Sequence, residues 1–448
     1  MVFGQMGRLI SRAAKSLHRD VVSLRSILWR MREILATEGV SGVIWRIAIR
    51  VRMRHLRYRP PKIVTTGRDA LSQSAELRGT QTFGVNFVGY LTGEFGNGTS
   101  ARAFAEALTL TRVPHVLNNL VDDLHKENKE YVGELSGHAP FPISIFHVNA
   151  ATTEAFFREN SRMYSQSKFN IGIWYWELSR FPKRWMSAFR FYNEIWVTSS
   201  FVCNSLSEIS PIPIRRVRYP LSIDTTRIDT GYRERLGFDH EFVFLYAFDS
   251  LSFFERKNPV AVIKAFGKAF PGDKDVMLLL HPIGKTSSNQ MRQLERASAQ
   301  NVVVRERLSR SEYLSLVAAS DCYVSLHRSE GLGLTLAEAM YLGKPVIATA
   351  YGGNLDFMNV ENSLLVPYQL VELQRDNGPY AKGNFWAEPD IDSAAQYMRW
   401  VRNNPEKAAK LGERAKADIR KTLDPVAASM EIRDRLRVIF AQIQSIEG

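Results

Sequence analysis

From residue 83 onward, short apolar runs alternate with stretches of helical periodicity. FGVNFVG at 83–89 is a compact apolar run, and a helix from about Thr99 to Leu110 follows it. Similar runs recur at 143–148 (ISIFHV), 171–176 (IGIWYW) and 194–198 (EIWVT). Pro211, Pro213 and Pro220 then interrupt the pattern. It restarts with runs at 242–247, 276–281, 301–304, 321–326 and 345–348, and with helices fitting 259–270, 287–299, 311–319 and 334–342. Apolar strands alternating with helices predict a parallel sheet covered on both faces. The restart predicts two such doubly wound α/β domains, 63–219 and 220–423, with the linker near 215–225. A long helix at 424–445 closes the chain, and 424–448 is expected to pack back on the first domain. No solenoid repeat or low-complexity segment is present.

The segment before residue 63 follows another rule. Residues 5–37 read as a helix, with Val21, Leu24, Leu28, Met31 and Leu35 on one stripe and arginines on the other faces. A second basic, apolar segment runs from 40 to 56, and Pro60-Pro61 marks its end. The 448-residue chain has a net charge of +13. Residues 1–62 hold 14 lysines and arginines against Asp20, Glu33 and Glu38, a local charge of +11 that leaves +2 for the other 386 residues. Such a segment favours anionic surfaces. Residues 1–59 read either as an interfacial anchor with arginines towards lipid phosphates, or as a helical arm packed on the body or on a second subunit. No readout motif or interleaved aromatic platform favours nucleic acid.

Arginines interrupt the best apolar stretch, 43–51, and Arg8, Arg12 and Lys15 interrupt any signal-peptide core. The expected location is the cytoplasm, at the inner face of a membrane under the anchor reading. Hydrophobic residues make up 45% and charged residues 23%, ordinary for a globular protein. Cys203 and Cys322 both sit in apolar surroundings and read as buried thiols, giving no disulfide or metal framework.

The densest chemistry follows the run at 321–326. His327-Arg328-Ser329-Glu330-Gly331-Leu332-Gly333-Leu334 is a loop entering a helix. Glycines let backbone approach a ligand, and a helix N-terminus favours phosphate. Glu330 lies in the loop and Glu338 about a turn inside the helix, so the two carboxylates can hold hydroxyls at both ends of an elongated ligand. The alternative is a capping Glu330 and a solvated Glu338. Glu255-Arg256-Lys257-Asn258-Pro259 follows the run at 242–247. Arg256 and Lys257 can bring the positive charge that a departing diphosphate needs, or be surface charge. In the first domain, Gly93, Gly96 and Gly98 make a glycine-rich strand-to-helix turn, with Arg102 one turn into the helix. That turn can approach a phosphate or be purely structural. Glu177 ends the run at 171–176, and His147 and Asn149 end the run at 143–148. All three are cleft candidates. Asp390-Ile391-Asp392 has the form of a metal-chelating Asp-x-Asp, but it precedes a helical run, so Asp392 reads as an N-cap.

The pattern S-x-H-R-x-E-G-x-G-L-x-x-x-E-A-M-x-x-G-x-P-V-I-A-T from Ser325 to Thr349 resembles the signature of the retaining family 4 glycosyltransferases. The resemblance covers roughly 83–445 and is densest over 250–358. It implies the GT-B fold, two facing Rossmann-like domains, and transfer of a sugar from a nucleoside diphosphate sugar to a hydroxyl with retained configuration and no metal or other cofactor. Under it, Glu330 sits at the donor sugar and Glu338 at the ribose. The backbone of Gly331, Leu332, Gly333 and Leu334 holds the diphosphate, with His327, Arg328, Gly353 and Asn354 around it. Family members often carry an arginine five positions before the lysine. Here Ser252 stands there, and Trp176 takes the place of a common histidine. The stretch F-D-x-x-S-x-x-E-R-K-N-P resembles a subgroup that builds bacterial surface polysaccharides, including lipopolysaccharide. It points to a mannosyltransferase using GDP-mannose on a lipid-linked saccharide acceptor. The competing readings are a nucleotide-sugar epimerase or hydrolase on the same fold, and a non-catalytic sugar-nucleotide-binding scaffold.

Overall fold

Two sheets carry the molecule. The computed structural model describes residues 62–64, 82–121, 133–238, 240–250, 252–284, 286–297, 301–305 and 308–447. The helix expected over 5–37 and the basic segment 40–56 lie outside the described residues, as does any anchor within 1–59.

The first sheet contains β1 (Lys62–Val64), β2 (Val85–Gly89), β3 (His115–Val121), β4 (Ile143–Phe146), β5 (Phe169–Ile173), β6 (Glu194–Val197) and β7 (Ile214–Arg216). Its order is β1-β3-β2-β4-β5-β6-β7, and only the β1–β3 pair is antiparallel. Helices α1 (Gly96–Thr111), α2 (Ala150–Asn160) and α3 (Ser200–Ser207) cross between its strands. After the short α4 (Tyr232–Leu236), the second sheet contains β8 (Phe242–Asp249), β9 (Val276–Ile283), β10 (Val302–Val304), β11 (Cys322–Ser325), β12 (Val346–Thr349) and β13 (Leu364–Val366). Its order, β10-β9-β8-β11-β12-β13, is parallel throughout. This is the 3-2-1-4-5-6 order of a dinucleotide-binding sheet, while β3-β2-β4-β5-β6 in the first sheet follows the flavodoxin-like 2-1-3-4-5 order. The strands β2, β4, β6, β11 and β12 are buried end to end, which explains why they read as continuous apolar runs.

Around the second sheet lie α5 (Phe254–Lys257), α6 (Pro259–Ala269), α7 (Ser288–Ala297), α8 (Arg310–Ala319) and α9 (Leu334–Tyr341). Helix α6 starts on Pro259, whose fixed φ suits a first helical position. Helix α8 starts in a capping box, with Ser309 and Glu312 each bonding the other's backbone. A hairpin that the sequence pattern did not reveal, β14 (Tyr368–Glu372) with β15 (Phe385–Pro389), projects from this lobe. Then come α10 (Ile391–Asn403), α11 (Pro405–Thr422) and α12 (Pro425–Glu447). Helix α12 returns to pack on α1 of the first lobe, burying Ile432, Leu436, Ile439 and Ile443. No described helix is long and apolar enough to cross a membrane.

Two expectations are corrected. Asp392 is not the N-cap of its helix: Asp390 is, its Oδ1 accepting from Ser393 N at 2.6 Å, while Asp392 sits in the first turn and meets Lys268 Nζ at 2.7 Å. Cys203 is only half-buried on α3, beside Ser207, because that face of the helix borders solvent. Cys322, in the centre of the second sheet, is fully buried.

Candidate functional site

In open α/β sheets, ligands bind beyond the carboxyl ends of the strands where the strand order reverses. Those points lie between β2 and β4 in the first lobe and between β8 and β11 in the second. Every candidate residue named from the sequence falls on a segment that leaves one of these strands, or on the neighbouring β5 or β12.

In the second lobe, β8 ends in a tight turn, and the single turn of α5 follows. The Lys257 Nζ donates to Glu330 Oε1 at 2.5 Å, and Arg256 Nη1 lies 3.3 Å from Glu330 Oε2. Arg256 is 1% exposed. It also donates to Ser329 O at 2.6 Å and to Ser252 Oγ at 2.7 Å. The position where the family pattern has an arginine is thus filled by a serine that holds the guanidinium of Arg256. Burial alone would raise the Glu330 carboxyl, but the charges of Lys257 and Arg256 override it and hold its pKa at about 2. Burial works against the Arg256 charge too, yet Tyr380, Glu330 and Glu177 outweigh it and push that pKa up. The result is a carboxylate held between Lys257 and Arg256.

The loop beyond Glu330 runs through Gly331, Leu332 and Gly333 into α9, which begins at Leu334. Gly331 is required by a close approach: a Cβ there would stand 2.7 Å from Trp176 O of the first lobe. Glu338 is buried inside α9, accepting from Arg310 Nη2 at 2.5 Å and from Tyr313 OH at 3.0 Å. It is not a solvated surface residue. Gly353 N donates to Glu330 O at 2.8 Å, so the turn after β12 fixes the Glu330 backbone. Asn354 is fully buried, donating to Thr349 O at 3.2 Å, and its Oδ1 meets no donor among the described residues. Arg328 is committed elsewhere, in a two-pronged pair with Glu388 at 2.6 and 3.0 Å and over the Trp386 ring. His327 is fully buried, its ring nitrogens meet no partner among the described residues, and burial pushes its pKa down to about 4.

The first lobe is arranged differently. Gly98 packs so closely on Gly93 O that a Cβ would overlap it, whereas the space beside Gly96, the first residue of α1, is open. Arg102 braces this turn, donating to Leu91 O and Gly93 O at 2.9 Å each. His147 lies beneath the cleft, not at its edge as the sequence suggested. It is buried, its Nε2 lies 2.9 Å from Ser100 Oγ, and burial lowers its pKa to about 4. The physical reason is that β4 is central and the Tyr175 ring lies over the imidazole. Asn149 Oδ1 accepts from Tyr175 N at 2.8 Å. Glu177 Oε2 accepts from Tyr380 OH at 3.0 Å, a partner from the second lobe.

Residues 245–418 match the family described as glycosyl transferases group 1. No curated protein matches the chain. In fold, the chain is similar to HepE of Anabaena, solved with UDP and glucose, at 14% identity and a TM-score of 0.54 over 80% of this chain and 100% of that one. It is similar to the sucrose-phosphate synthase of Thermosynechococcus elongatus, at 15% identity and a TM-score of 0.59 over 80% and 99%. WaaG, a glycosyltransferase involved in lipopolysaccharide biosynthesis, gives 14% identity and a TM-score of 0.52 over 79% and 99%. These likenesses support the two-lobed GT-B architecture.

With that fold in view, the contacts between lobes stand out as the part that sequence reasoning missed. Ser199 Oγ donates to Gly331 O at 2.5 Å, Ser329 Oγ to Glu177 O, and Ser200 N to Asp356 Oδ2 at 2.7 Å. Loop 373–384, between β14 and β15, reaches the first lobe: Arg180 donates to Gly383 O at 3.1 Å, and Arg184 to Pro379 O at 2.8 Å. Arg310, Tyr313 and Tyr380 were also missed. Arg310 and Tyr313 lie one turn apart on α8, a spacing that could have marked them as partners for a buried carboxylate.

Proposed function

We propose that this protein is a retaining, metal-independent glycosyltransferase that moves a hexose from a nucleoside diphosphate sugar to a hydroxyl of a saccharide acceptor. The observation that carries this reading is the Glu330 carboxylate clasped by Lys257 and Arg256 at the mouth of the Gly331–Leu334 backbone turn. In the reaction, the bond from the anomeric carbon to the diphosphate oxygen breaks and the acceptor oxygen bonds to that carbon on the same face. The acceptor's proton passes to the leaving phosphate. Lys257, 15% exposed, turns from Glu330 towards the diphosphate as charge develops, while the buried Arg256 keeps Glu330 in place. The N-terminus of α9 and the Gly331–Leu334 amides cradle the phosphates. Glu338 exchanges Arg310 for ribose hydroxyls. The family match over 245–418, which contains all of these residues, supports the assignment.

The donor is a nucleoside diphosphate hexose. The subgroup resemblance favours GDP-mannose, and the UDP bound to HepE makes UDP-glucose the competing arm. The acceptor is a lipid-linked saccharide of bacterial surface polysaccharide assembly, and residues 1–59 bring the enzyme to an anionic membrane face. A thermal-shift screen of GDP-mannose, UDP-glucose, UDP-galactose and UDP-N-acetylglucosamine tests the donor half. A ligand that binds only the folded state raises the melting temperature. Glu330→Ala is expected to lower turnover by about 10²–10³-fold, and undiminished turnover sinks the role given to Glu330. Flotation of the full chain with phosphatidylglycerol vesicles but not with phosphatidylcholine vesicles is the expected membrane result.

A further inference from the structure

Between the lobes lies a pocket of about 160 Å³ that the donor-side motif does not use. Its walls are aromatic. Trp176 meets Trp185 edge to face at 5.5 Å and Tyr380 at 5.4 Å, Phe181 packs on both tryptophans, and Phe253 meets Tyr380 at 5.0 Å. Glu177, Asn149 and Ser252 break the aromatic lining. Glu177 Oε2 accepts from Tyr380 OH at 3.0 Å. Asn149 Oδ1 accepts from Tyr175 N at 2.8 Å. Ser252 receives Arg256 at its Oγ. The pocket is therefore lined by a carboxylate, an amide and a hydroxyl, with aromatic faces between them.

The backbone around the pocket is held in unusual conformations. Phe253 has φ +59°, which is rare for a bulky residue and concentrates at ligand clamps. Gly378 sits against it at φ +58°, where any Cβ would overlap the Phe253 ring. Phe253, with Pro379 and Tyr380 just beyond Gly378, belongs to the second lobe, yet these residues line a pocket whose other wall is Tyr175, Trp176 and Glu177, after β5 in the first. The pocket is smaller than the roughly 300–1,000 Å³ of sites for drug-sized ligands, so it suits one small ring. Through Ser252 and Arg256 it adjoins Glu330.

We propose that this pocket, closed by loop 373–384, binds the acceptor's receiving pyranose ring, with Trp185 against its apolar face and Glu177, Asn149 and Tyr380 on its hydroxyls. The inference rests on the glycosyltransferase reading and adds the acceptor subsite to it. Specificity then depends on a hairpin loop of the second lobe, since a site built to bond hydroxyls discriminates strongly against a ring lacking them.

The test uses the full chain and two separate readouts. Methyl α- and β-glycosides of glucose, galactose and mannose are titrated while tryptophan fluorescence is followed, and nucleotide-sugar binding is read by thermal shift. At least one glycoside is expected to give a saturable signal. Trp185→Phe removes most of that signal. Tyr380→Phe and Glu177→Gln raise the half-saturation at least about tenfold, the equivalent of 1.4 kcal/mol, while Trp185→Phe keeps the parental thermal shift with nucleotide sugar. Unchanged circular dichroism confirms that the variants fold. If nucleotide sugar stabilises the protein but no glycoside of the panel gives a signal, the pocket proposal falls alone. It also falls if the signal appears only with nucleotide sugar and disappears in these variants, because the pocket then takes the donor's sugar. If glycosides bind and no nucleotide sugar does, the pocket stands and the glycosyltransferase reading falls.

Discussion

Glu194 in the first lobe and Glu338 in the second are each 1% exposed, and each meets an arginine at 2.5 Å. Their surroundings differ. Glu194 takes two bonds from Arg435 of α12 and one from Trp196 Nε1 at 2.6 Å, with Arg215 at 3.8 Å. These partners tie the last helix of the chain to β6. Glu338 takes its bonds from Arg310 and Tyr313, both on α8 of its own lobe, and Arg310 is 36% exposed. Burial with an ion pair is therefore common to the Glu194 staple and to Glu338, for which we propose a ribose-binding role. What separates them is which lobe the partners come from and how far the arginine reaches solvent: Arg435 is 19% exposed and Arg310 36%.

The largest expected effect tests the staple. Arg435→Ala leaves a buried carboxylate with one distant cation and should cost about 3–5 kcal/mol in urea unfolding. Replacing both partners, as Glu194→Gln with Arg435→Met, should recover most of that loss. A loss under about 1 kcal/mol would instead place the pair with ordinary surface ion pairs. The next effect concerns His147, whose pKa burial lowers to about 4. The unfolded chain binds a proton near pH 6.5 that the folded protein refuses until about pH 4. Stability is thus full above pH 6.5 and falls as the pH drops through that window, by up to about 3 kcal/mol. His147→Gln should make the melting temperature fall less steeply over the same range. A curve of unchanged slope would move the acid sensitivity to His327 in the second lobe, which burial also holds at about 4.

These cases show what the sequence could and could not carry. The second sheet was legible because β8, β9, β11 and β12 are central, buried strands and so read as unbroken apolar runs. Glu330, Glu338 and Lys257 were legible because the loops after β8 and β11 keep their chemistry in short contiguous stretches. The hairpin β14–β15 was not legible. Tyr368, Leu370 and Val371 are exposed, so neither an apolar run nor a clean alternation marks it. Tyr380 was lost with it, although it reaches Glu177 across 203 positions. Arg102 and His147 have the residue types of a binding site, but they are spent on the carbonyls and hydroxyl of their own lobe. Residue type at a strand end does not reveal whether a side chain faces the cleft or supports the turn beneath it.

Arg310→Ala sharpens the comparison from the other side. Tyr313 still donates to Glu338, and Arg310 already sees solvent, so the expected loss is about 1–3 kcal/mol, below that of Arg435→Ala. Saturating nucleotide sugar should narrow the gap between variant and parent, because ribose hydroxyls take the place that Arg310 vacates. A gap that ligand leaves unchanged would make Glu338–Arg310 a second staple and remove the distinction.

The smallest expected effect lies at the seam. The N-terminus of α3 is capped twice. Ser199 Oγ accepts from Val202 N within the lobe, while Asp356 of the second lobe accepts from Ser200 N at 2.7 Å and pairs with Arg216 at 3.1 Å. Loss of a helix cap costs about 1 kcal/mol, and Asp356→Ala should show that in urea unfolding. If the cap also holds the lobes together over the Gly331 turn, removing it lets the cleft open more often. Nucleotide-sugar association, followed by stopped-flow fluorescence, should then become faster. Ser199→Ala offers the control, since that hydroxyl serves both its own helix and Gly331 O. It should lose more stability than Asp356→Ala and accelerate association as well. A stability loss in Asp356→Ala with an unchanged association rate would confine the contact to local capping and assign the closed cleft to loop 373–384.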